Sequence, residues 1–305
     1  MIPGSDAEVP AFARALGLPG LTDLHVHFLP DAVQKKVWAF FDRASAEYGT
    51  EWPIHYRLPV DQRLAILRDL GVRGFAPLVY PHKPDMAAWL NEWVRDFAAD
   101  TPEAVPTATF FPEPGAARYL ADALDQGVRC VKSHVQVGDY DPRDELLDPV
   151  WGLLAEAAVP VVVHCGHGPV AGKYTGLDVF EDVLRRHPRL VAVLAHAGAP
   201  EFTLALDLVD RHDGVHLDTT MVGVPFNGAD AALPPDWTAR LAAHPDRIAL
   251  GTDFPSIPYD YATQLRAIAG WAAADDRLGE NFLRAVLWET PRRLLSLSEH
   301  TAETS

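Results

Sequence analysis

Eight short apolar runs, each ending in polar residues, punctuate the chain: Leu21–Phe28, Val72–Val79, Val105–Phe110, Val128–Val135, Val159–Cys165, Leu190–His196, Val215–Asp218 and Ile248–Asp253. Their length and apolar character predict β-strands. Between them lie stretches with helical periodicity, such as Asp61–Leu70, Met86–Asp100, Ala116–Gln126, Pro149–Ala158, Leu177–His187 and Thr203–Arg211; that period gives a helix one apolar face to bury. Strand and helix therefore alternate. Parallel neighbours need a crossover connection, so the alternation predicts a parallel sheet in an α/β protein. Eight units favour closure into a (β/α)8 TIM-type barrel over the alternative, a doubly wound open sheet. The turns Leu70-Gly71-Val72 and Gln126-Gly127-Val128 read as helix stops leading into the next strand.

Two segments exceed ordinary loop lengths: a long insertion after the first strand, residues 29–60, rich in aromatic residues, and residues 219–246, with Pro225, Pro234 and Pro235. Both follow strands, which in a barrel places them at the C-terminal face where substrate binds. Each is read either as a lid or as a covering of the rim. The tail Glu280–Leu297 has helical spacing and is expected on the outside of the barrel. No linker, repeat or low-complexity tract divides the sequence, so residues 1–305 read as a single domain.

Composition narrows the function classes. The chain has 305 residues, 48% hydrophobic and 22% charged, as in an ordinary globular protein. Its net charge of −16 repels nucleic acid and anionic membranes, so neither is expected as a partner. No apolar run is long enough to span a bilayer, and the first residues lack the basic start of a signal peptide; the expected location is cytoplasmic. Two isolated cysteines, Cys130 and Cys165, cannot build a disulfide framework and argue against a thiolate zinc site.

The chemistry lies in the histidines. His25 and His27 are two apart on the first strand, so both face the barrel interior while Leu24 and Val26 face away. Two imidazoles side by side away from water are costly to satisfy, and a metal ion would satisfy them. Lys132, His164, His196 and Asp253 fall at matching places in their own strands. Lys132 to His164 and His164 to His196 are 32 residues each, one βα unit, and His196 to Asp253 is 57, close to two. All therefore end at one level, the C-terminal rim.

His-x-His on the first strand, His on the fifth and sixth and Asp on the eighth resemble the amidohydrolase superfamily. Val131-Lys132-Ser133-His134, His164-Cys165-Gly166, His196-Ala197-Gly198, Gly251-Thr252-Asp253-Phe254-Pro255 and Thr290-Pro291-Arg292-Arg293-Leu294-Leu295 resemble its amidohydrolase-2 branch, which includes the aminocarboxymuconate-semialdehyde decarboxylase-like proteins. The resemblance runs from about residue 21 to 297. It implies one divalent metal ion, zinc first and manganese second, held by His25, His27, His164 and Asp253. His196 then stands beside a metal-activated water as a base or electrostatic stabiliser, and Asp253 is a second candidate for moving protons. Imidazole and carboxylate ligands suit such ions independently of the resemblance.

Lys132 reads either as a carboxylated bridge between two metals, as in dinuclear members of the superfamily, or as an interior ammonium paired with a carboxylate; one metal is favoured. Candidate substrate contacts are Lys132, His134, His167 and Lys173, the last two in a glycine-containing loop, with Lys173 or Arg57 as counter-charge for a carboxylated molecule. Cys165 is expected to point outward and pack. The leading reading is a metal-dependent hydrolase of a small ester, lactone or amide. The alternatives are a non-hydrolytic decarboxylase on the same scaffold and a catalytically silent metal-binding protein. Oligomeric state is left open, a homo-oligomer included.

Overall fold

The computed structural model describes residues 2–227 and 232–297. His300 and residues 228–231 of the second long segment lie outside them. The eight strands are β1 (Leu21–Val26), β2 (Val72–Pro77), β3 (Thr107–Thr109), β4 (Cys130–His134), β5 (Val161–His164), β6 (Ala192–Leu194), β7 (Val215–Asp218) and β8 (Ile248–Ala249), all paired in parallel. The continuous ladders run β1–β2 and β3 through β8. Backbone contacts join them at both seams. Leu24 N–H bonds to Leu250 O at 2.8 Å, Asp253 N–H to His25 O at 2.8 Å and His27 N–H to Phe254 O at 2.7 Å. On the other side Phe75 bridges Ala104, with Val105 N–H on Phe75 O at 2.9 Å. The sheet thus closes on itself, and the open-sheet alternative is set aside.

Helices cover the outside as their periodicity predicts. In Leu177–Arg186 the buried residues Leu177, Phe180, Val183 and Leu184 form one stripe, with Asp178 in the first turn and Arg185 and Arg186 in the last, where each charge opposes the helix dipole. Asp260 caps Tyr261–Ala274 by accepting from Thr263 N–H at 3.0 Å. The outward faces of the strands and the inward stripes of the helices share one large core that includes Trp151, Phe180, Tyr261 and Phe282.

The barrel interior has two levels. The lower is a separate apolar cluster, among them Leu24, Ala76, Cys130, Val162, Val193 and Ala249; the upper carries the polar side chains of the site. Two expectations are corrected here. Leu24 does not face away from the interior. A register shift between Asp23 and Val26 acts as a bulge that sends both Leu24 and His25 inward, while Asp23 turns outward to Tyr261. Nor does the tail stay outside: Leu294 and Leu295 belong to the interior cluster and Leu297 packs against it. A Cβ on Gly74 would come within 2.8 Å of Leu297 Cδ1, so the missing side chain makes room for this plug.

The insertion forms two helices, Asp31–Phe41 and Ala44–Tyr48, and lies over the mouth. Trp52 ties it down: its indole N–H bonds to Ser256 O at 2.7 Å, and its ring meets Phe41 and Phe226 at 5.1 and 5.0 Å between centroids.

Candidate metal centre

Sequence spacing placed the site residues at one level, and strand register explains why they meet. His25 and His27 leave β1 beside the continuation of β8, which carries Asp253. Gly251 permits this approach: a Cβ there would lie 2.6 Å from Thr220 Oγ1 and 2.9 Å from His25 Cβ. His25 Nε2 and His27 Nε2 are 3.2 Å apart, and Asp253 Oδ1 is 2.8 Å from His27 Nε2 and 3.6 Å from His25 Nε2. Among the described residues these three are the one group of metal-binding side chains whose donor atoms all lie within 4.8 Å of one another.

Their outer partners decide which atoms are free. His27 Nδ1 donates to Leu78 O at 2.7 Å, and His25 Nδ1 faces Asp218 Oδ2 at 2.9 Å. A carbonyl and a carboxylate only accept, so both Nδ1 atoms carry protons and, in neutral rings, both Nε2 atoms are bare. Two bare nitrogens and a carboxylate oxygen then converge, an arrangement that calls for a proton or a metal cation between them. This donor set fits a divalent first-row ion, with outer partners orienting the ligands.

His164, the fourth expected ligand, lies at the edge of this group. Its Nε2 donates to Gly168 O at 3.0 Å, leaving Nδ1 bare, and its ring stacks on His134 at 4.2 Å and meets His196 at 4.6 Å. His196 is also 5.4 Å from His25 between centroids. Burial pushes His164 down to about 3, with His196 adding to the effect, and burial pushes His25 and His196 down to about 4; these rings are neutral near pH 7. Burial also drives His134 well below the usual range. For Asp253 burial alone would raise the pKa, but the His27 imidazole against it, with His25 and His196 nearby, holds it well below the usual range. His196, Ala197 and Asp253 here have φ of 56°, 48° and 65°, a left-handed region that side-chain-bearing residues seldom enter.

Lys132 is completely buried, with Nζ 3.1 Å from His25 Nε2, and burial pushes it down to about 8. The carboxylate expected beside it is absent as an ion pair among the described residues; its partner is the imidazole. Cys165 is buried in the outer core, as expected for packing.

The centre forms the floor of a cavity of about 890 Å3. His134 and His167 reach its wall, His134 accepting from Val137 N–H at 3.3 Å and His167 Nδ1 lying 2.9 Å from Thr175 Oγ1. Lys173 and Arg57 do not. The Lys173 ammonium lies over the Tyr174 ring at 4.5 Å, and Arg57 forks the exposed Asp42 carboxylate, one arm at 2.8 Å. Among the described residues the cations that line the cavity are Lys36 and Arg43 from the insertion, beside His82, and Asp253 is the one lining carboxylate. Three further histidines pair with carboxylates on the outer surface, His187 with Asp148, His212 with Glu181 and His244 with Asp210.

Sequence reasoning passed over Asp218. It is fully buried at the end of β7, touches His25, and accepts from the backbone N–H of His196 at 2.8 Å and of Thr220 at 3.0 Å. Burial alone would raise it, but His25 holds it at about 2. The signal was available: Asp218 ends its strand at the level where the other site residues end theirs.

The barrel is a closed (β/α)8 fold with imidazoles and a carboxylate gathered at its C-terminal mouth. An amidohydrolase family model matches residues 22–297, and the chain belongs to that family, in the amidohydrolase-2 branch; it is an enzyme. No curated protein matches. Among solved structures, an uncharacterised TIM-barrel protein from Bordetella bronchiseptica is 18% identical with TM-score 0.69, over 90% of this chain and 99% of its own. An amidohydrolase from Burkholderia multivorans with bound zinc is 16% identical with TM-score 0.61, over 92% and 100%. A 5-carboxyvanillate decarboxylase from Novosphingobium aromaticivorans, complexed with manganese, is 14% identical with TM-score 0.62, over 91% and 96%. At these identities the likeness is one of fold. No helix among the described residues is long and apolar enough to cross a membrane.

Proposed function

We propose that this enzyme hydrolyses an ester, lactone or amide bond of a small organic substrate, using one divalent ion held by His25, His27, His164 and Asp253. The observation that carries the reading is the convergence of two bare imidazole nitrogens and the Asp253 oxygen on the floor of an open cavity beside His196. Zinc is the proposed ion and manganese the second choice, supported by the ions named for the two relatives of the same fold. Such an ion supplies Lewis acidity toward a carbonyl oxygen and brings the pKa of a water to about 7.

The chain's own residues do the rest. His196, neutral because it is buried, accepts a proton from the attacking water and returns it to the leaving group. Asp253, held ionised, provides the second proton acceptor. The aromatic wall built by Phe41, Trp52 and Phe226 excludes water from the apolar part of the substrate. An anionic substituent finds its counter-charge in Lys36 and Arg43 of the insertion, which take the place expected of Lys173 and Arg57.

Decarboxylation is the second reading, favoured by the structural likeness to a decarboxylase. The same groups would then deliver a proton to carbon as carbon dioxide leaves. Turnover of a carbonyl-substrate panel by the zinc-loaded enzyme in oxygen-18 water separates the two. Label in the product carboxyl without carbon dioxide supports hydrolysis; carbon dioxide with solvent hydrogen on the product carbon supports decarboxylation and overturns the leading reading.

A further inference from the structure

We propose that Asp218 is a positioning residue that sets, through its two oxygens, both the tautomer of His25 and the left-handed backbone that carries His196. The metal-affinity part rests on the metal reading above; the tautomer and backbone parts do not. One oxygen, Oδ2, lies 2.9 Å from His25 Nδ1, with Thr220 Oγ1 at 3.2 Å from the same nitrogen. The other, Oδ1, accepts the backbone N–H of His196 at 2.8 Å and of Thr220 at 3.0 Å. The carboxylate is completely buried, so water cannot replace either bond.

An ionised carboxylate offers only acceptors. Nδ1 of His25 must therefore hold the ring proton, which leaves Nε2 bare where it meets His27 and Asp253. The same carboxylate reaches from β7 to the end of β6. There it holds the N–H of a residue whose φ of 56° and that of its neighbour, 48°, are unfavourable for side-chain-bearing residues. One side chain thus links a metal ligand to the proton-transfer group.

The two functions separate by substitution. In Asp218→Asn the amide oxygen can still accept from His196 and Thr220, but its NH2 then confronts His25 Nδ1 and forces the ring proton to Nε2. Asp218→Ala removes both roles. The test is nitrogen-15 NMR of histidine-labelled, metal-free protein, hydrogen exchange at the His196 amide, and zinc affinity by chelator competition. Expected are an Nδ1–H His25 in wild type and Nε2–H in Asp218→Asn. The His196 amide should be protected in wild type and Asn but exchange faster in Ala, and zinc should bind roughly 10- to 100-fold more weakly in both variants. A purely structural residue would lower Tm in both variants without moving the tautomer. An Nε2–H His25 in wild type overturns the proposal whether or not the variants fold, as does Asp218→Asn with an unchanged tautomer. If wild type binds no zinc, the metal reading fails, and the tautomer and amide readouts still decide whether Asp218 positions these groups.

Discussion

The floor of the barrel and the insertion that roofs it are built by different rules. On the floor, the functional side chains leave a strand or the residues just beyond its C-terminal end, where register ties neighbours together, such as His134 opposite His164, and partners fix the rings to within a hydrogen bond. The roof is a short helix with Val33, Val37, Phe40 and Phe41 lining the cavity and Lys36 exposed among them. It is attached by aromatic contacts, the Trp52 bond to Ser256, a buried bond from Arg63 to Gln34 at 3.0 Å, and the packing of Val33 and Val37 on the cluster of Leu29, Val79 and Leu90. Geometry on the floor is therefore set by the whole sheet, whereas at the roof it is set by a few local contacts. Chemistry belongs on the first and selection on the second.

The largest expected effect tests the floor. His25→Ala and Asp253→Ala should each lower kcat/KM by about a thousandfold or more, since an ion acting as Lewis acid contributes several kcal/mol to the transition state. Steady-state kinetics of the variants in excess zinc measure it; retention of more than about a tenth of the activity would break the distinction. His196→Ala should keep the metal and lower kcat by about 10^2 to 10^4, the usual range for a lost proton-transfer group.

Acid stability sharpens the same contrast. Burial holds His25, His196 and His216 at about 4 and His164 at about 3, below their ordinary 6.5. The unfolded chain then binds more protons than the folded one in this window. The stability they contribute is complete above pH 6.5 and is lost as pH falls toward 4. Asp23 opposes this, because burial raises it from 3.8 to about 7 and its contribution declines as pH rises between those values. Four imidazoles outweigh one carboxyl, so urea midpoints of the metal-free protein should fall on acidification through this range. A flat profile would mean that the rings are not held neutral.

Smaller effects belong to the roof. Trp52→Ala should raise KM about tenfold with kcat little changed, as expected when an aromatic wall contact worth 1 to 2 kcal/mol is lost. A matched fall in kcat would place the roof in the chemistry. Smallest of all, Lys173→Ala and Arg57→Ala should change KM for a carboxylated substrate by less than about twofold, because both sit in solvent away from the cavity. Lys36→Ala and Arg43→Ala should exceed them.

The same division explains what could be read from the chain. All eight strands and the level of His25, His27, His164, His196 and Asp253 were legible, because short apolar runs mark strands buried on both faces and a repeated βα length carries through a parallel barrel. Leu24 was misplaced because a bulge breaks that period without any mark in composition. The tail leucines were misplaced because helical spacing reveals a buried face but not which surface it meets. Lys173 and Arg57 were chosen by charge in loops that have no register, and the structure puts Lys36 and Arg43 on the cavity wall instead. Asp218 was missed because it lies on a seventh strand that the family pattern of ligands skips.

The account stands on one cation at the meeting point of His25, His27 and Asp253, and elemental analysis of the purified chain beside Asp253→Ala tests it most directly. The predicted result is about one divalent ion per chain in wild type, zinc ahead of manganese, and close to none in the variant. A wild-type chain that binds no divalent ion under zinc saturation, or two ions with carbon dioxide added to the Lys132 amine, would contradict it.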